Sequence, residues 1–117
     1  MVRRSLLVLF AVLSLVALAG SAWSETLTRV DAKRVCMVND TVFPKDQIPV
    51  EVEGRTYFGC CEMCKGRLAK DDAVRQSVDP VSGKSVDKAT AVIGAASDGK
   101  VHYFENDQTF AAYLARP

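Results

Sequence analysis

The sequence predicts a small α+β protein built from two tandem units, each a knuckle, a β-hairpin and a helix. Three observations carry this. The aromatic pairs Tyr57-Phe58 and Tyr103-Phe104 stand 46 residues apart, and each follows a turn, Glu53-Gly54 or Ser97-Asp98-Gly99. Cys36 and Ser82 are also 46 apart, each 21 residues before its aromatic pair, and Leu68 and Leu114 share the offset. Each aromatic pair is followed by a segment of helical composition. A fixed period of this kind marks one supersecondary unit used twice. The composition is that of a globular chain: 49% apolar and 25% charged over 117 residues. A formal charge of +1 gives no basic surface, so nucleic acid is excluded as the default partner.

The elements follow in chain order. Arg3 and Arg4 precede an apolar run from Leu6 to Ala19, and small residues around Trp23 follow. This is the three-part pattern of a secretory signal peptide over residues 1–24, with Ala22-Trp23-Ser24 as the cleavage site. The run is shorter than the roughly 20 residues that span a bilayer. Ser21 stands where a lipoprotein would carry its lipidated Cys, so no stable membrane anchor is expected after cleavage. A periplasmic or secreted location follows. Cleavage leaves 93 residues; it removes two of the 15 basic residues and none of the 14 acidic ones, so the net charge becomes −1.

Val50-Glu51-Val52 and Arg55 to Phe58 flank Glu53-Gly54 as a short hairpin. A helix is expected from Cys61 to about Lys70, and a second short helix from Asp72 to Val78. Asp79-Pro80-Val81-Ser82-Gly83 reads as a turn, since Pro80 cannot continue a helix and Gly83 tolerates positive φ. Thr90 to Ala95 and Lys100 to Phe104 form the second hairpin, and Asn106 or Asp107 caps a final helix through Ala115. The units divide as 25–78 and 79–117. Tyr57, Phe58, Tyr103, Phe104, Phe110 and Tyr113 are expected in the core.

The chemistry rests on four cysteines: Cys36, Cys60, Cys61 and Cys64. Cys60 sits where a strand ends and Cys64 in the first helical turn, where the free N–H groups and helix dipole stabilise thiolates. Cys36, from an upstream loop, completes a three-thiolate site for a thiophilic ion such as Zn²⁺ or Cu(I). Met37 and Met63 adjoin the cluster; a thioether favours Cu(I), but Met at helical spacing more often packs a core. The fourth ligand is open, with Cys61 nearest. His102, the single His, is read as a satisfied or solvated side chain. Two other readings stay open at this point. In an exported chain an even Cys count also fits disulfides, and hence a stapled interaction module. Cys61-Glu62-Met63-Cys64 at a helix start also fits a thiol oxidoreductase, although Cys36 and Cys60 would then be surplus. No other enzyme signature is present, and Asp71-Asp72 reads as a solvated pair or a cap rather than an acid–base dyad.

Cys36-Met37 followed by Gly54 to Cys64 resembles the TRASH domain, a small treble-clef-like metal-binding module with one Cys, a gap of about twenty residues and then C-x-x-x-C. Cys36, Cys60 and Cys64 match that pattern, and Cys61 is an addition. Asp79 to Lys84 through Tyr103 to Asn106 resembles the related YHS domain. There Ser82 stands in place of the first Cys, Lys84 of the Met and Glu105 of the second Cys, and Thr109 lies near the third. The resemblance implies two treble-clef-like units and a non-enzymatic protein of metal sensing, trafficking or resistance. It implies a ligand set in the first unit, a metal-free second unit, and a metal transporter or other exported protein as partner.

Overall fold

The computed structural model describes residues 26–116. The expected export segment, 1–24, lies outside the described residues. The chain is α+β: nine short strands, all paired antiparallel, and two α-helices among the described residues.

The hairpins form where the turn residues demand. Glu53 and Gly54 both adopt positive φ, 53° and 79°. That is the two-residue turn whose twist matches paired strands. It joins β4 (Ile48–Val52) to β5 (Arg55–Gly59), in register from Val52 opposite Arg55 to Ile48 opposite Gly59. Val50 and Tyr57 face each other in this register, and both are buried. The second hairpin joins β8 (Val92–Ala95) to β9 (Val101–Phe104) through a turn closed by Gly99, φ 87°. It starts two residues later than the expected Thr90, because residues 88–90 form a turn. β1 (Thr28–Arg29) adds to the outer edge of β8, so the start of the described chain joins the second unit's sheet.

Each hairpin leads into a helix. α1 (Glu62–Lys70) follows Cys61, and α2 (Asp107–Leu114) follows Asn106. The two N-cap residues share one extended conformation, φ −156° and −162°. Asn106 accepts a hydrogen bond from the Thr109 N–H at 2.9 Å, as a good cap should. α1 packs on β4 and β5, and α2 packs on β8 and β9.

A knuckle precedes each hairpin. β2 (Val35–Cys36) and β3 (Thr41–Val42) enclose residues 37–40, and Asp40 closes that turn at φ 51°. β6 (Gln76–Val78) and β7 (Ser85–Asp87) enclose 79–84, with Gly83 at φ 72°. This corrects the helix expected over Asp72 to Val78. Only Asp72–Arg75 coils, as a 3₁₀ turn capped by Asp71, whose side chain accepts from the Ala73 N–H. Gln76, Ser77 and Val78 instead pair with Asp87, Val86 and Ser85. Pro80 supplies no N–H to extend a helix, while Gly83 lets the chain fold back and satisfy those strand groups.

One core binds the two units. Val35, Met37, Val50, Tyr57 and Leu68 from the first meet Ile93, Val101 and Tyr103 from the second. A second cluster gathers Leu27, Ala96 and Phe104, with Phe110 and Tyr113 packed against it; both rings meet Phe104 edge-on. The units also exchange part-buried hydrogen bonds. The Tyr57 hydroxyl meets both carboxylate oxygens of Asp87 at 2.9 Å, and the Tyr103 hydroxyl donates to Asp40 at 2.8 Å. Tyrosine of one hairpin thus reaches the aspartate that ends the other unit's knuckle, in both directions. Among the described residues no helix is long and apolar enough to cross a membrane.

Candidate metal centre

Three elements converge on the cysteines. Cys36 ends β2, Cys60 leaves β5, and Cys64 lies in the first turn of α1. Met37 N–H donates to Phe58 O at 2.9 Å, which ties the knuckle to the strand that delivers Cys60. Gly59 allows the last approach. A Cβ built there would lie 3.0 Å from the Cys64 Cβ and 3.1 Å from the Lys65 nitrogen. The helix can sit on the strand end only because that position carries no side chain.

The Sγ atoms of Cys36, Cys60 and Cys64 lie within 4.8 Å of one another. Cys60 and Cys64 are 3.7 Å apart. A tetrahedral ion with metal–sulfur bonds of about 2.3 Å sets sulfurs about 3.8 Å apart, so this pair already spans one edge of such a site. The donor set is all sulfur, which suits soft and borderline transition ions. Cys36 and Cys64 are buried and Cys60 is exposed, so the trio is open on one side. Cys61 is exposed at the N-cap, with its Sγ 3.4 Å from that of Cys64; the mutually close set is the other three. All four are unpaired thiols.

The thiols are not equivalent. Burial disfavours the Cys36 thiolate, but N–H groups of Asn39 and Val38 and the thiol of Cys60 donate to it and bring its pKa below the ordinary value. Cys60 moves up, first because its S–H is held by Cys36 and then by burial. Burial, reinforced by hydrogen bonding to Cys61 and Cys60, pushes Cys64 up to about 12. Cys61 moves down, chiefly through the Cys64 N–H at the free end of α1. Asn39 Nδ2 approaches Cys60 Sγ at 3.5 Å. The site therefore has one sulfur disposed to ionise and two that hold protons, which an arriving cation must displace.

The methionines divide. Met37 is fully buried in the core, as expected, whereas Met63 is 77% exposed and overturns the core expectation for it. The first turn of α1 packs inward through Cys64, which leaves residue 63 on the solvent side. His102 packs against the Tyr113 ring, centroids 5.6 Å apart, on the α2 side of the second hairpin.

The second unit solves the same closure without sulfur. Asp79 is fully buried. Its Oδ1 accepts from the N–H groups of Val81 and Ser82 at 2.7 and 3.1 Å, and its Oδ2 from the Glu105 N–H at 2.9 Å. Ser82 Oγ donates to Glu105 Oε2 at 3.2 Å. Burial alone would raise the Asp79 pKa; hydrogen bonds from the Thr109 side chain and these N–H groups outweigh it and hold the carboxyl below its ordinary value. One carboxylate thus joins knuckle, strand end and helix start. Sequence reading placed Asp79 in a turn and missed this role; an Asp before Pro and two residues before a backbone N–H was the signal available.

A second residue missed from sequence is Lys88, only 5% exposed. It reaches from the second unit to the first knuckle. Comparison with protein-family models, with curated proteins and with solved structures finds no match to this chain.

Proposed function

We propose that this chain is an exported metal-binding protein of the TRASH and YHS type, which carries a thiophilic transition ion as cargo in metal trafficking, sensing or resistance. The observation that supports this is the convergence of Cys36, Cys60 and Cys64 Sγ atoms within 4.8 Å, on one open side of the first unit. Three thiolates with an exposed edge suit transfer better than a closed four-ligand structural site. Cys61, exposed and in contact with Cys64, is the fourth ligand available from this chain; a transporter or other exported protein would supply a replacement during handover. Zn²⁺ and Cu(I) are the ions the donor set favours. The protein makes and breaks metal–sulfur bonds and is not an enzyme.

The test is native mass spectrometry and elemental analysis of protein recovered from the exported compartment, with a thiol count after denaturation. About one metal per chain and four free thiols are expected. Cys60→Ser or Cys64→Ser should abolish metal retention, and Ser82→Ala should leave it unchanged. Two disulfides and no metal would overturn the reading in favour of a stapled module. Loss of metal in Ser82→Ala would move the site to the wrong unit and sink the assignment.

A further inference from the structure

We infer that Lys88 of the second unit is the counter-cation and clamp of the cysteine site, so the repeat that lacks cysteines serves the one that has them. This rests on the metal reading of the cysteine trio. Lys88 is buried, with a side chain only 6% exposed. Its Nζ donates to Met37 O at 2.7 Å and to Asp40 Oδ1 at 2.9 Å, and lies 5.1 Å from the Tyr103 ring centroid. Met37 and Asp40 are the first and last residues of the knuckle turn that begins after Cys36. The Tyr103 hydroxyl holds the same Asp40 oxygen at 2.8 Å. Two side chains from the second unit therefore grip the loop that aims Cys36 at its partners.

A buried lysine is costly unless its charge is compensated. Asp40 compensates it only in part, since the Asp40 side chain is 43% exposed and shares its charge with water. Thiolates change this balance. Three thiolates carry a net charge of −1 with a divalent ion and −2 with a monovalent one. An ammonium fixed one residue from Cys36 stabilises both, and the monovalent complex by twice the free energy. The first unit contains no equivalent: at the 46-residue offset Lys88 corresponds to Val42. The ammonium meets the first unit at Met37 O and Asp40, on the turn that follows Cys36.

The test is a chelator-competition titration of the full mature chain with Zn²⁺ and, anaerobically, with Cu(I). Lys88→Met removes the charge and keeps the length. Its affinity should fall on the order of tenfold for Zn²⁺ and on the order of a hundredfold for Cu(I) at the effective dielectric of a half-buried site. Asp40→Asn keeps an acceptor and tolerates the positive φ. It leaves the ammonium uncompensated, so affinity should hold or rise. Circular dichroism of the metal-free variants checks that each is folded. Opposite signs for the two partners of one ion pair distinguish a charge effect from loosening of the loop. Equal losses for both ions, weakening by both substitutions, or wild-type affinity in Lys88→Met would each overturn the inference. If wild-type protein itself fails to bind either ion, the metal reading fails instead.

Discussion

Asp79 and Cys64 show how one closure is achieved by two chemistries. In both units a knuckle must be fastened to the strand end and to the helix start. The first unit brings three sulfurs there, and the second brings a buried carboxylate with three backbone donors. Asp79→Asn should therefore destabilise the metal-free protein by about 1–3 kcal/mol, because an amide nitrogen must face N–H groups that now have no acceptor. Urea unfolding would measure it, and metal stoichiometry should stay that of the parent. A loss of metal in this variant would mean that the two closures are not independent. Lys88 belongs to the same scale. Its sequence context, Val86-Asp87-Lys88-Ala89, is that of any solvated lysine, and only its burial against the knuckle distinguishes it.

At the scale of elements, strand β5 and helix α1 are held at a distance that only glycine permits. Gly59→Ala would put a Cβ at 3.0 Å from that of Cys64, so the helix must move away. Overpacking of this kind costs about 1–3 kcal/mol. It should also weaken metal binding, since the helix carries Cys64. Gly66 provides the control. It lies inside the same helix with nothing within 4 Å of its missing Cβ. Gly66→Ala should stabilise by about 0.5–1 kcal/mol, the helix propensity difference, with metal affinity unchanged. Chemical denaturation and metal titration of the two variants would show whether the strand–helix spacing matters. Equal behaviour of the two alanines would refute it.

The whole molecule is bound by the exchange of Tyr57 to Asp87 and Tyr103 to Asp40 across a shared core. Burial raises the Asp87 pKa, but the Ala89 N–H, the Tyr57 hydroxyl and Arg55 outweigh it and lower the carboxyl below its ordinary value; Asp79 is lowered too. A lowered carboxyl contributes stability that is present above its unfolded pKa, about 3.9, and is lost as pH falls through the folded value. Thermal unfolding of the metal-free protein should thus show a flat midpoint between about pH 5 and 8 and a fall below about pH 4. Asp87→Asn should lower the plateau and flatten that acid limb. A limb as steep as the parent's would show that Asp87 carries none of the linkage.

The sequence by itself determined both hairpins, both helices and the three cysteines that the fold brings together. These are local matters: turn residues with positive φ, apolar alternation, caps and cysteine spacing act over a few residues and leave a readable trace. Tertiary structure decided the rest. Gln76 to Val78 became a strand because β7 lay opposite, although the composition suited a helix equally. Met63 turned outward because Cys64 took the inner face. Asp79 and Lys88 were buried because distant backbone groups could satisfy them. Cys61 lies outside the mutually close trio, although its Sγ is 3.4 Å from that of Cys64 and it is the neighbour of Cys60 in sequence. Each of these outcomes depends on which groups meet across a gap of many residues, and local residue preference holds no record of such meetings.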